Sequence, residues 1–212
     1  MVEVKSVETV RGRVRITLEN GARYELRKNL FRERPVEPGE EVEEENFAKW
    51  VTLHQYRPAL DQAVAMLANR ACSRGEVERR LRNSGYSADT VEMVLYKLEK
   101  HELLNDQEFA EQWVRYRTGL KYGPRRIAAE LRQKGVSAEE TEEALAPLRE
   151  EEQTELAVLL ARKGLARRKP EEDLRKTFQR TIGSIVRRGF DWDTAREACE
   201  RAAREMELEA EE

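Results

Sequence analysis

The sequence predicts a mainly α-helical protein: three tandem three-helix repeats in an elongated curved array, preceded by a small N-terminal segment that contains a β-hairpin. Three observations indicate this class. A short phrase recurs as LRNSGYSADT at residues 81–90, LRQKGVSAEE at 131–140 and, more loosely, IVRRGFDWDT at 185–194. Apolar residues recur with helical spacing from Pro58 onward. A composition of 39% hydrophobic and 38% charged residues suits units that each bury one modest face.

The N-terminal residues carry a hairpin signal, because RVRITLENGARYEL alternates apolar and polar residues around Asn20-Gly21. A two-residue turn would put the two apolar sets on opposite faces of the hairpin. A three-residue loop, Glu19-Asn20-Gly21, puts them on one face and gives Gly21 a left-handed conformation. The predicted pairs are Leu18 with Ala22, Ile16 with Tyr24 and Val14 with Leu26. Residues 2–10 are a candidate third strand.

A connection is predicted next, since RPVEPGEEVEEENF at residues 34–47 carries two prolines, a glycine and an acidic run. The β-rich segment and its acidic linker are thus assigned to residues 1–50. Because the apolar faces of the repeats are expected to cover one another, deletion of residues 1–46 is expected to leave the repeats folded.

The three repeats are predicted over residues 58–104, 105–150 and 151–208. In each repeat the recurring phrase is interpreted as the end of the second helix, a glycine turn and the start of the third helix. The turn glycines are Gly85, Gly135 and Gly189.

Helix starts are marked as clearly as the turns. Ser73 with Glu76 and Ser137 with Glu140 have the spacing of capping boxes. Gly123-Pro124 is predicted to begin the second helix of the second repeat, and Pro170 the corresponding helix of the third.

No catalytic, metal-binding or cofactor-binding site is predicted. His54 and His101 lie well apart, and Cys72 and Cys199 have no metal-ligand spacing, so both cysteines are expected to be buried apolar residues. No N-terminal leader and no long apolar stretch is present, which favours a cytoplasmic protein that neither is secreted nor binds a membrane. We expect a monomer without enzymatic activity.

Local charge is more informative than total charge, because 39 Lys and Arg nearly balance 42 Asp and Glu. Two groups of cations are predicted to bind a partner, and Tyr116 and Tyr122 lie among the first. The second-repeat cations are Arg115, Arg117, Lys121, Arg125, Arg126, Arg132 and Lys134, and the third-repeat cations are Arg162, Lys163, Arg167, Arg168 and Lys169. Such patches suit phosphates or an acidic protein groove. The alternative is that each arginine solvates a helix beside a glutamate.

Four motifs, in order, resemble the successive signatures of the RecX family of regulatory proteins. They are NRACSRGEVERRLRNSGY, LLNDQEFAEQWVRYR, YGPRRIAAELRQKGV and RRGFDWDTAREA, over roughly residues 60–201, with the third repeat matching least well. The resemblance implies a non-enzymatic, helical regulator of DNA recombination and repair in the SOS response. It also implies that the chain lies in the helical groove of the RecA filament on single-stranded DNA and inhibits its ATPase and recombination activity.

The residues themselves leave two other functions open. The first is a general DNA-binding helical-repeat protein without a recombinase partner, whose arginines contact the phosphates of single- or double-stranded DNA. The second is a scaffold without a regulatory role. Under the recombinase hypothesis, Lys121, Arg125 and Arg126, together with residues 167–169, are predicted to make the main contacts. A surface that spans several protomers would bind by summing weak contacts.

Overall fold

A computed structural model describes residues 1–10, 12–168 and 171–211, with side chains up to residue 207. The chain forms two compact units, Met1–Asn105 and Asp106–Glu212. The elements of the first unit are β1 (Val2–Val10), β2 (Arg13–Leu18), β3 (Arg23–Arg27), α1 (Lys28–Glu33), β4 (Glu41–Val42), α2 (Glu44–Asn69), α3 (Arg74–Asn83) and α4 (Ala88–Lys100). Those of the second unit are α5 (Asp106–Gly119), α6 (Pro124–Lys134), α7 (Ala138–Leu145), α8 (Glu150–Leu165), α9 (Leu174–Arg187) and α10 (Trp192–Glu211).

The strands of the first unit form one antiparallel sheet in the order β3-β2-β1-β4. The predicted hairpin register is confirmed, because Ile16 pairs with Tyr24 and Val14 with Leu26. The loop closes with Leu18 N donating to Ala22 O at 2.9 Å. Gly21 has a φ of 89°, the left-handed conformation that the three-residue loop requires. The third strand is confirmed as β1, whereas β4 and α1 were not predicted.

The first helix was predicted to begin near Pro58, but α2 begins at Glu44 and Pro58 lies inside it. Residues 34–47 are therefore more than a linker. They include β4 and the first turn of α2, where the carboxylates of Glu44 and Glu45 interact favourably with the helix dipole. The proline removes one backbone hydrogen bond, but burial on both sides of it holds the helix together.

Helix α2 joins the sheet to the first repeat. Phe47 and Val51 pack in the same buried cluster as Ile16, Leu18 and Leu26. Further along α2, the Gln55 amide is 4% exposed; its Nε2 donates to Glu25 O at 2.9 Å, and its Oε1 accepts from Ser87 N at 2.8 Å. Deletion of residues 1–46 would uncover Phe47 and Val51, and the expectation that the repeats stay folded after this deletion stays a prediction.

The glycine turns are confirmed in all three repeats. Gly85, Gly135 and Gly189 lie between α3 and α4, α6 and α7, and α9 and α10, with φ values of 77°, 88° and 99°. In the first two turns the next residue closes a Schellman motif, with Tyr86 N donating to Leu81 O at 3.3 Å and Val136 N to Leu131 O at 3.1 Å.

Each third helix begins with a side-chain cap. Ser87 accepts from Thr90 N, Ser137 from Glu140 N and Asp191 from Thr194 N, at 3.2, 3.1 and 2.8 Å. The capping boxes at Ser73 and Ser137, and Pro124 as the first residue of α6, are also confirmed. Cys72 and Cys199 are buried, as predicted.

In the third repeat the predicted helix start is wrong. Helix α9 begins at Leu174, and its N-cap is Asp173, which accepts a hydrogen bond from Arg175 N at 3.0 Å. Pro170 lies outside the described residues, and residues 171–173 are not helical. The aspartate supplies the acceptor that the helix start needs, which explains the later start. The division of the chain at residues 50, 104 and 150 stays a prediction. Among the described residues, no helix is both long enough and apolar enough to cross a membrane.

We expect Phe47→Ala to destabilise the first unit by about 3–5 kcal/mol, because it leaves a cavity between α2 and the sheet. Leu53→Ala is the matched control on the same helix, since Leu53 is 68% exposed and its truncation is expected to cost less than about 0.5 kcal/mol. Urea unfolding followed by circular dichroism measures both variants. Equal losses would contradict the assignment of α2 to the N-terminal core.

Candidate partner-binding surface

The second repeat carries a row of aromatic rings along α5. Phe109, Trp113 and Tyr116 follow one another at helical spacing, with 6.0 Å between successive ring centroids. Phe109 is buried, Trp113 is half-buried and Tyr116 is 58% exposed. The row therefore leads from the core to the surface, and it ends beside the exposed Arg115.

Three of the predicted second-repeat cations lie over aromatic rings. The guanidinium carbons of Arg117 and Arg126 lie 4.0 and 4.3 Å from the ring centroid of Tyr122. Lys134 Nζ lies 4.2 Å from the centroid of Trp113. Cations at these distances are attracted to the faces of the rings. These three residues hold α5, α6 and the intervening loop together.

Glu130 is the centre of a partly buried polar network that the sequence does not reveal. Its carboxylate accepts from Trp113 Nε1 at 3.2 Å, from Arg117 Nε at 2.6 Å and from Arg126 Nε at 3.1 Å. Burial alone would raise the pKa of Glu130, but the hydrogen bonds from Arg117 and Arg126 outweigh burial and hold that pKa below its usual value. Arg117 and Arg126 are thus internal contacts of the fold.

Other second-repeat cations are free to meet a partner. Arg115, Arg125 and Arg132 are exposed on α5 and α6, and within the described part of the chain no carboxylate lies within 4.0 Å of their guanidinium nitrogens. Lys121, in the loop before α6, is half-buried and has a φ of 61°. Arg125 also helps to lower the pKa of Asp191, after the larger effect of the hydrogen bonds from Thr194.

The third-repeat cations lie at the end of α8 and beyond it. Arg162 is half-buried and pairs with Glu205 of α10 at 3.4 Å. Lys163, Arg167 and Arg168 are exposed, and Arg168 Nη1 donates to Glu172 O at 3.5 Å. Lys169 lies outside the described residues. Contacts of the third-repeat cations with a partner stay a prediction.

Two glycine turns dock against each other, backbone to backbone. Gly123 N donates to Arg188 O at 2.8 Å, and Arg125 N donates to Gly189 O at 3.0 Å. A Cβ atom at Gly123 would lie 2.5 Å from the carbonyl carbon of Gly189, and one at Gly189 would lie 2.4 Å from Cβ of Arg126. Only glycine permits so close an approach. We call this contact between the second and third repeats the glycine joint.

Arg188, which the predicted set leaves out, reinforces the glycine joint. Its Nη1 donates to Leu120 O at 3.3 Å and to Lys121 O at 3.4 Å, and its guanidinium carbon lies 5.4 Å from the Tyr122 ring centroid. The sequence marks Gly123 and Gly189 as turn residues, but nothing in one sequence indicates that they meet. The joint fixes the start of α6, with Arg125, against the end of α9.

Three-helix repeats closed by glycine turns, with a close backbone contact between the second and third repeats, define a helical-repeat protein. Comparison with known proteins identifies the family. Residues 59–98 match the family model for the RecX first three-helix domain, and residues 105–145 match that for the second.

Curated relatives agree. The regulatory protein RecX of Mycolicibacterium smegmatis is 37% identical over 142 residues, which covers 65% of this chain and 75% of the relative. That of Prosthecochloris aestuarii is 36% identical over 145 residues, covering 68% and 93%. The crystal structure of RecX from Lactobacillus salivarius superposes with a TM-score of 0.64 at 27% identity, covering 71% of this chain and 98% of that one. The chain belongs to the RecX family, which confirms the resemblance.

We expect Gly123→Ala to destabilise the second unit by about 1–3 kcal/mol, because the added methyl group must displace backbone atoms of the opposite turn. Gly119→Ala is the matched control, since no atom lies within 4 Å of the corresponding Cβ position. It should be neutral or stabilise by about 0.4–1 kcal/mol. Thermal melting compares the two, and an undisturbed Gly123→Ala variant would disprove the close packing of the joint.

We expect the stability contributed by Glu130 to disappear in acid. Its pKa is lower in the folded state than in the unfolded state, where it is about 4.3, so the unfolded chain binds more protons as the pH falls through this range. Glu130→Gln should therefore be less stable than the parent at pH 7, and the difference should shrink below about pH 4.

Urea unfolding at several pH values measures this difference. Glu143→Gln, at an exposed position of α7, is the control and should match the parent throughout. A parent–variant difference for Glu130→Gln that does not change with pH would show that the network contributes no ionic stabilisation.

Proposed function

We propose that this chain binds the filament that the RecA recombinase forms on single-stranded DNA, and that it inhibits ATP hydrolysis and recombination by that filament. Its family membership and the name of its relatives, regulatory protein RecX, support a regulatory role. The proposed binding surface rests on one observation: several exposed cations of the second unit have no carboxylate partner among the described residues. They include Arg115 and Arg125.

Charge explains why these cations, rather than those around Glu130, are proposed to contact the filament. Arg117 and Arg126 already share a carboxylate, so recruiting them would break hydrogen bonds of the fold. The charge of Arg115 and Arg125 is not neutralised by such a pair. An acidic groove, or the phosphates within it, would attract these side chains over a long range and increase the rate of association.

Inhibition would follow from contact with several protomers at once. Each exposed ion pair contributes about 1 kcal/mol or less, but contacts on one rigid body add up. The glycine joint supplies that rigidity between the second and third repeats. A regulator that binds one arrangement of neighbouring protomers more tightly than others shifts the filament toward that arrangement. ATP hydrolysis and strand exchange slow if they require another arrangement. In this proposal the chain acts as a monomer in the cytoplasm and is not itself an enzyme.

Direct binding to DNA is the second candidate function. The exposed ring of Tyr116, next to Arg115, favours it, because bases of single-stranded DNA stack on exposed aromatic rings flanked by cations. Binding of this kind would weaken steeply with added salt and would not need the recombinase.

We expect the double reversals Arg115→Glu with Arg125→Glu, and Arg167→Glu with Arg168→Glu, to weaken inhibition of the RecA filament ATPase by about tenfold or more, since like charges would then face the partner. Single reversals should have mild effects. The measurement is the concentration of this protein that halves ATP hydrolysis at fixed salt.

The matched control is Lys97→Glu with Lys100→Glu, two exposed positions on α4 of the first unit. It carries the same change of charge and should inhibit like the parent. Thermal melting checks folding of every variant. Full inhibition by both arginine variants would show that these side chains only solvate helices. Loss of binding to bare single-stranded DNA with inhibition retained would separate DNA binding from regulation.

A further inference from the structure

A second surface of the same unit has the opposite charge and a different shape. Helices α6 and α7 enclose an open groove of about 490 Å³. Its walls are lined largely by alanine and leucine side chains: Ala128, Ala138, Leu145, Ala146 and Leu148. The three alanines leave room that larger residues would fill. This volume lies within the range of pockets that bind ligands, about 300–1,000 Å³.

The α7 wall of the groove follows one helical stripe, since Ala138, Thr141, Glu142 and Leu145 are spaced as i, i+3, i+4 and i+7. Thr141 is 5% exposed, and its hydroxyl has no hydrogen-bond partner among the described residues. Buried hydroxyl groups in proteins are normally hydrogen-bonded. The groove therefore combines apolar walls with an unused polar group in one of them.

The exposed charge of α7 is acidic and is not compensated among the described residues, and Glu142 is the glutamate that lines the groove. Glu139, Glu142 and Glu143 are exposed on α7, and no cation of the described residues pairs with them. Arg132, on the α6 wall, is the cation that lines the groove, and it lies on the opposite side. Because its glutamates repel phosphates, α7 is not a helix that enters a groove of DNA.

We infer that the α6–α7 groove is a docking site for a basic amphipathic helix of a partner protein. Leucine-sized side chains of that helix fill the space between the alanines, and its lysine or arginine side chains face Glu142 and Glu143. Apolar anchors at successive helical turns are the usual way in which a helix binds a groove. Arg132 sets the orientation of the helix, because it keeps the partner's cations on the α7 side. This site does not include Arg115 or Arg125, on which the proposed function rests, so the inference does not depend on that function.

The test uses a defined probe, an amphipathic peptide of leucine and lysine about 14 residues long, which is sufficient for a helix to form on binding. We expect it to shift the amide resonances of the groove residues in a spectrum of the full chain. Two comparison peptides carry serine in place of leucine, or glutamate in place of lysine. Neither should bind there, because one lacks the anchors and the other has the wrong charge.

Three variants locate the site. Glu142→Lys with Glu143→Lys should weaken peptide binding about tenfold, and Ala138→Phe should do the same by filling the groove. Glu151→Lys with Glu152→Lys is the matched control, since both residues are exposed on α8 and neither lines the groove. It should change binding by less than about twofold. Thermal melting establishes that each variant is folded.

The inference is overturned if the serine peptide binds as tightly as the leucine peptide, or if the control reversal on α8 weakens binding as much as the reversal on α7. Either result would mean that the peptide responds only to overall acidity. Resonance shifts confined to other residues, with none at the groove, would also reject the site. Since the experiment contains no recombinase and no DNA, its outcome is independent of filament inhibition.

Discussion

Each three-helix repeat depends on one backbone position that must take a left-handed conformation. That position is occupied by Gly85, Gly135 and Gly189, each of which follows the second helix of its repeat. Non-glycine residues reach this conformation only at a cost in free energy, so the turn directs the third helix back toward the core with little strain. In every repeat, the residue four positions before the glycine and the residue directly after it are buried. They are Leu81 with Tyr86, Leu131 with Val136, and Ile185 with Phe190.

The third turn, at Gly189, has a second role besides connecting the helices of its own repeat. Its carbonyl groups at Arg188 and Gly189 accept hydrogen bonds from Gly123 N and Arg125 N, so one left-handed turn organises both the third repeat and the glycine joint. The cations divide accordingly. Those around Glu130 and Tyr122 hold the joint and its neighbourhood together, whereas those without a carboxylate partner among the described residues are the ones proposed to bind the filament. A regulator that makes many weak contacts needs both groups, because contacts add only when the body that carries them is rigid.

Local signals were enough to predict the hairpin register and the glycine turns, because a period of two residues, a loop glycine and a capping serine each act within a few positions. The start of α2 was mispredicted, since Pro58 and the run of glutamates are typical of a connection. Packing of Phe47 on the sheet stabilises the helix in spite of these two signals. The start of α9 was placed at a proline, but the capping acceptor is Asp173. These errors arise where tertiary contacts decide a helix boundary.

The pairing of the cations is harder to predict from the sequence than the fold. A count of arginines along the chain does not distinguish Arg117, which Glu130 neutralises, from Arg115, which has no such partner among the described residues. That difference depends on α5 and α6 facing each other. The glycine joint is likewise invisible in one sequence, because Gly123 and Gly189 are each explained by a local turn. Only their separation of a few ångströms in the fold gives them a second role.

Hydrogen exchange of this protein, free and bound to the RecA filament on single-stranded DNA, tests the central claim most directly. The account predicts that binding slows exchange at the start of α6, around Arg125, and at the end of α8, while the amides of the β-sheet in the first unit are unchanged. Slowing confined to the first unit, or none anywhere, would contradict the claim that the exposed arginines of the second unit bind the filament.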